Sequence, residues 1–166
     1  MQRRLLRDRQ IVVDDWRYPG EASDDTGAPL IVTFDQWQSD PGTWIARGSR
    51  LGVVLSPAHK VEQLAPDLAW FTLIAADFPG PADGRGYTQG RQLRERWNFK
   101  GELRATGYVR RDQLFFLARC GFNSFELAEN ELETAHAAFQ TFSAAYQPSN
   151  DLGLAFKLQP DTPASA

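Results

Sequence analysis

Leu68–Phe78 reads LAWFTLIAADF, and its apolar side chains run on without the alternation of a half-exposed strand. Leu30–Phe34 (LIVTF) and Leu51–Leu55 (LGVVL) have the same character. Strands buried on both faces read this way, as a parallel sheet covered by helices requires. Helical patterns separate the runs. Gln36–Ala46 predicts a helix interrupted near Pro41-Gly42, and Lys60–Leu64 predicts one or two turns. Further on, Thr88–Trp97 reads as a helix with Thr88 as its N-cap, Glu102–Thr106 as a strand, and Arg111–Cys120 as a helix stopped by Gly121. Ser124–Leu127 reads as a fifth strand. Asn130 and Glu133 open an amphipathic helix whose apolar face is Leu132, Ala135, Phe139, Phe142 and Tyr146. Leu5–Trp16 predicts a hairpin, Leu152–Leu158 a last strand or arm, and Pro160–Ala166 a frayed tail. The expectation is one α/β domain over residues 1–159, with a mainly parallel sheet of about five strands and room for a partial barrel.

At 166 residues the chain is long enough for one core and short of a complete eight-fold barrel, typically about 250 residues. Its single cysteine excludes an internal disulfide framework. No N-terminal stretch resembles a signal peptide and no apolar run approaches a membrane span, so a soluble cytoplasmic protein is expected. The pI of 5.4 argues against general nucleic-acid binding.

Charge is unevenly spread. Pro79–Phe122 carries nine basic residues against four acidic ones, inside a chain of net charge −3. Within it Asp83-Gly84-Arg85-Gly86-Tyr87-Thr88 is a glycine-rich loop leading into a helix, a pattern that offers free N–H groups to an anion. Arg85, Arg91, Arg94 and, on the next strand, Arg104 would add bidentate contacts to phosphate, sulfate or carboxylate. The competing reading is a surface turn with solvated or paired arginines. A dinucleotide fingerprint does not fit, because Gly84, Gly86 and Gly90 are one residue off its spacing.

Arg104 has a second reading, a structural pair with Glu126 across neighbouring strands. Asp83 and Asp112 are the best-placed acid/base candidates. Cys120 has no partnered histidine and reads as core. His59 and His136 stand alone, so no zinc or iron–sulfur pattern is present.

DGRGYTQGRQLRERWNFKGELRATGYVRRDQLFFLARCGFNSFEL resembles the bacterial family known as domain of unknown function 934. That family's typical stretch runs D-G-R-G-Y-S-x-A-R-x-L-R, G-E-L-R-A-x-G-D-V-x-x-D-Q and R-C-G-F-D. The match runs through Asp83–Tyr87, Arg91, Leu93 and Arg94. It continues through Gly101–Ala105, Gly107, Val109, Asp112, Gln113 and Arg119–Phe122. Tyr108 stands where the family usually has Asp. Members are often encoded beside assimilatory sulfite reductase and are described as oxidoreductases of sulfite reduction. The resemblance therefore implies a place in that pathway, with sulfite reductase or its electron donor as partner. No flavin, haem or nicotinamide motif is present, which leans toward an accessory protein binding a small anion and assigns no cofactor. The alternative is an enzyme acting on a sulfur oxyanion or a phosphorylated small molecule.

Overall fold

The computed structural model describes residues 3–21 and 27–141, which build one seven-stranded sheet with helices between its parallel strands. The expected arm at Leu152–Leu158, the tail, and Phe142 and Tyr146 lie outside the described residues.

Strand β1 (Arg4–Arg7) turns back into β2 (Gln10–Val13) as the predicted hairpin. Its two-residue turn, Asp8-Arg9, takes positive φ at both positions, 48° and 66°. That is the twist two-residue hairpins favour, usually with Asn and Gly. Here Asp8 is held from outside, its N–H donating to Asn123 O and its carboxylate accepting from Asn123 Nδ2.

β3 (Leu30–Thr33) passes into α1 (Phe34–Ser39) through a capping box. Thr33 Oγ1 accepts from Gln36 N, and Gln36 Oε1 accepts from Thr33 N. Asp40 then caps α2 (Pro41–Ala46), so the interruption at Pro41 is two short helices end to end. β4 (Leu51–Leu55), α3 (Val61–Leu64), a 3-10 segment and β5 (Phe71–Phe78) follow. The strand expected from Leu68 starts only at Phe71, because Pro66 and its neighbours form the 3-10 turn Ala65–Trp70.

α4 (Arg85–Glu95) begins three residues before Thr88, the expected cap. Thr88 is exposed inside the helix. Close packing sets this start. A Cβ on Gly86 would lie 2.5 Å from the Phe78 ring, and one on Gly90 2.4 Å from the Phe122 ring. The two glycines, four apart, are the face on which α4 sits against the sheet. β6 (Glu102–Gly107), a 3-10 turn at Arg111–Gln113, α5 (Leu114–Arg119), β7 (Ser124–Phe125) and α6 (Glu129–Thr141) complete the order. β7 is shorter than expected, although Glu126 N still donates to Ala105 O at 3.0 Å.

The sheet order is β2-β1-β7-β6-β5-β4-β3, with β3 to β7 mutually parallel, β1 antiparallel to β7, and β2 antiparallel to β1. Each parallel strand is laid down beside the last in one direction. Right-handed crossovers then put every connecting helix on one face. Laid flat, β2 and β3 would stand about 29 Å apart, six strand spacings. Yet Arg17, four residues beyond β2, pairs in parallel with Leu30 of β3. Arg17 N donates to Pro29 O at 2.9 Å and Ile31 N to Arg17 O at 2.8 Å. Four residues reach about 14 Å at most. The sheet is therefore curled until Asp14–Arg17 joins its two edges.

The outer face packs on the helices: Val32, Val53, Ile74, Leu103 and Phe125 meet Phe34, Leu64, Leu93, Leu117 and Leu132 in the main core. The inner face has its own small cluster of Trp16, Ile31, Leu73 and Ala75, with Tyr18 and Val54 against it. No helix among the described residues is long and apolar enough to cross a membrane.

Candidate functional site

Strand alternation brings Glu102, Arg104 and Thr106 of β6 to the inner face, next to Ala75 and Asp77 of β5 and Ser124 and Glu126 at β7. Arg104 is fully buried there. A guanidinium has five N–H donors, and all five are used. Nη1 and Nη2 reach the two oxygens of Asp14 at 3.0 Å each, Nε and Nη2 reach Glu102 Oε1 at 3.1 and 2.9 Å, and Nη1 reaches Glu126 Oε1 at 3.1 Å. Arg3 reinforces Asp14 at 2.9 Å and Arg7 meets Glu102 at 3.4 Å. Three guanidinium groups thus balance three carboxylates. Burial pulls the Arg104 pKa down, but the Asp14 hydrogen bond and the surrounding carboxylates outweigh it and hold the pKa above the ordinary arginine value. The structural pair with Glu126 is present. Asp14, 90 residues away, had no signal in the sequence beyond its position after the hairpin.

One level nearer the carboxyl ends lies the mouth of the curl. Asp77 is in register with Thr106, and Thr106 Oγ1 donates to Glu126 Oε2 at 2.7 Å. Tyr18, from the closing segment, leans over them. Its phenol is pushed up to about 12 by burial and the Glu126 charge, against the opposing charges of Arg104 and Arg3. Asp77 differs from the other inner carboxylates: no cation pairs with it among the described residues. Burial, then the charges of Asp83 and Glu126, raise its pKa above the ordinary aspartate value.

A raised folded-state pKa favours the protonated carboxyl in the folded chain. The associated stability is complete below the unfolded pKa and is lost as pH rises through the folded one. Asp77→Asn should accordingly stabilise the protein at neutral pH, with the gain vanishing as pH falls below the usual aspartate range. Urea midpoints at several pH values check this. A gain that persists or grows in acid would show that Asp77 bears no such cost.

The arginines expected to share an anion-binding edge are placed apart. Arg85 folds back on Asp83, its N, Nε and Nη2 all donating to that carboxylate. These bonds keep Asp83 below its usual range. Arg91 is exposed and faces Glu95 at 3.7 Å. Arg94 points to the opposite, amino end of the strands, where it donates to the carbonyls of Gly121, Phe99 and Gly101. Burial lowers its pKa. Gly84 supplies the N-cap backbone of α4 without a side-chain cap, and Gly86 is packing. Tyr87 anchors two aromatics, with ring centroids 5.2 Å from Phe78 and 5.1 Å from Phe116, and its hydroxyl accepts from Gln113. Asp112 is exposed in the 3-10 turn before α5.

Beside the mouth, over the carboxyl ends of β5 and β6, lies a groove of about 730 Å³. Tyr108, Arg110, Arg111 and Gln113 form one wall, and Asn130 and Thr134 of α6 the other. In the sequence Arg110 and Arg111 stand out only as part of the regional charge surplus.

Cys120 is 3% exposed in the main core, and burial raises its thiol. Cys120→Ala should cost about 1 kcal/mol, an ordinary value for a point substitution. The native thiol should react with an alkylating reagent only as the protein unfolds. Rapid labelling of folded protein at neutral pH would contradict this assignment.

A curled β/α sheet, plugged by an ionic network below and open at a polar mouth above, defines the structural class. The family model described as "Bacterial protein of unknown function (DUF934)" matches residues 52–155, and the chain belongs to that family. The matched span holds Asp77, Glu102, Arg104 and Glu126, whereas Asp14 and Arg3 precede it. No curated protein matches the chain.

Proposed function

We propose that this protein binds a small anionic molecule at the carboxyl end of its curled sheet, beside the mouth, and serves sulfite reduction as an accessory protein. The observation that supports this placement is the contrast between the two levels of the interior. At the Arg104 level every guanidinium donor is spent on carboxylates. At the level above, Asp77 keeps an unpaired carboxylate beside Thr106 and Tyr18. β/α barrels build their working sites at this end, on loops that follow the strands. The pathway, with sulfite reductase or its electron donor as partner, comes from the family resemblance.

Asp77 also favours a second reading, an enzyme acting on a sulfur oxyanion or a phosphorylated molecule. A carboxyl group with a raised pKa, at the carboxyl end of a strand, has the property a general acid needs. Complementation separates the two readings from each other and from a role elsewhere. In a strain lacking the gene, growth on sulfate or sulfite but not on cysteine should depend on the protein. An accessory protein should retain function in Asp77→Asn and co-purify with sulfite reductase or its donor. An enzyme should lose function with Asp77→Asn while remaining folded. Growth on sulfite that does not depend on the gene would overturn the pathway assignment.

A further inference from the structure

The mouth itself is acidic. Asp77 and Glu126 line it, and Asp83 acts on Asp77 from the rim. An anionic group would be repelled there, and Arg85, in the segment after β5, is closed on Asp83. The anion must be held to one side of Asp77.

We infer that the groove between the β6–α5 connection and α6 is an oxyanion site, with Arg111, Asn130 and Thr134 as its ligand-binding residues. This rests on the reading that the carboxyl end is the working end. Arg111, Asn130 and Thr134 have no side-chain hydrogen-bond or ion-pair partner among the described residues, yet all three line the same groove. Asn130 and Thr134 are four apart on α6 and so share one side of it. The two carboxylates in the groove differ in state. Glu131 is engaged: one oxygen meets Arg110 Nη2 at 3.2 Å and the other accepts from Arg111 N at 3.2 Å. It thereby pins the turn that carries Arg111. Asp112 is exposed in the same turn.

Tyr108, on the same wall as Arg111, is joined to the mouth through the backbone. Tyr108 N donates to Phe78 O, and Asp77 abuts Gly107, the residue before Tyr108. A bound molecule could therefore place its oxyanion against Arg111 and direct its other end toward Asp77. The ligand class is a small molecule bearing a tetrahedral or carboxylate oxyanion, which a guanidinium grips with two parallel donors and which hydroxyl and amide donors complete.

The probes are inorganic phosphate, sulfate and sulfite, titrated into the full chain at constant ionic strength with chloride as the reference. Amide chemical shifts and melting temperature supply the readouts. Wild type should bind at least one of the three, with shifts centred on Arg111, Asn130 and Thr134 and a melting temperature above that in chloride. Arg111→Ala should weaken that binding about tenfold, the equivalent of one charge-assisted contact. Tyr108→Asp, which puts a carboxylate in the wall, should weaken it as well. Arg85→Ala combined with Arg91→Ala should leave it unchanged. If Arg111→Ala binds as wild type does while the Arg85/Arg91 double variant fails, the groove assignment is overturned and the reading of the carboxyl end survives. If no probe binds wild type more than chloride does, the groove assignment fails together with the proposed anion-binding function.

Discussion

Arg104→Met should destabilise the protein by about 3–5 kcal/mol, the loss typical of breaking a buried ion pair from one side. The substitution keeps much of the side-chain volume and removes all five donors. Asp14, fully buried, and the largely buried Glu102 and Glu126 would then face one another with only Arg3 and Arg7 left in compensation. Much of the effect is the cost of stranded carboxylates rather than the worth of the network. Replacing the whole network with apolar groups of similar shape would therefore be far milder than Arg104→Met. Arg104→Lys should fall between wild type and Met, because an ammonium keeps the charge and offers three donors in place of five. Equilibrium urea unfolding measures both variants. An Arg104→Met midpoint within the error of wild type would mean that the interior tolerates the three acids unaided.

Gly107→Ala should cost roughly 2–5 kcal/mol. Two terms add. Gly107 has φ +85°, a region that costs an L-residue roughly 1–2 kcal/mol. Its Cβ would also stand 2.5 Å from Phe78 O and from Asp77 Oδ1, and overpacking of this kind costs about 1–3 kcal/mol. Phe78 O is the acceptor for Tyr108 N, so relief of the clash would move the groove wall or the Asp77 carboxylate. Gly84→Ala is the comparison. Gly84 has negative φ, and the nearest atom to its Cβ would be 3.9 Å away, so that change should be close to neutral. Equal effects at the two glycines would remove the geometric account of Gly107.

The same contrast shows how far the glycine-rich stretch could be read without a structure. Gly84 and Gly86 stand in a loop that sequence reasoning assigns to an anion. In the folded chain Gly86, together with Gly90, is the contact face of α4 on Phe78 and Phe122. Both uses need glycine for the same reason, the absence of a Cβ. Spacing alone does not separate them. Only the position of the neighbouring aromatics does, and those come from β5 and from the segment before β7.

Local chemistry in the sequence determined the order of elements. Unalternated apolar runs marked β3, β4 and β5, and Pro41 split the helix after β3. Periodicity found the buried face of α6 at Leu132, Ala135 and Phe139, and residue type, with no partnered histidine, placed Cys120 in the core. These signals are readable because each depends on residues a few positions apart. The Arg104–Glu126 pair was legible for a related reason: adjacent β/α units place their strands side by side.

What only the tertiary structure decided is how the two ends of the sheet meet. Nothing near Arg17 announces its pairing with Leu30, nor does anything near Asp14 announce its double contact with Arg104. Both follow from the curl of the sheet, a sum of small twists over seven strands that no single stretch encodes. The fate of the arginines was hidden for the same reason. Arg85, Arg91, Arg94 and Arg104 are alike in sequence. Asp83, Glu95, a set of backbone carbonyls and three inner carboxylates divide them among four different surroundings. Charge density along a chain locates a basic region, but the acceptors that claim each guanidinium are chosen by packing in three dimensions.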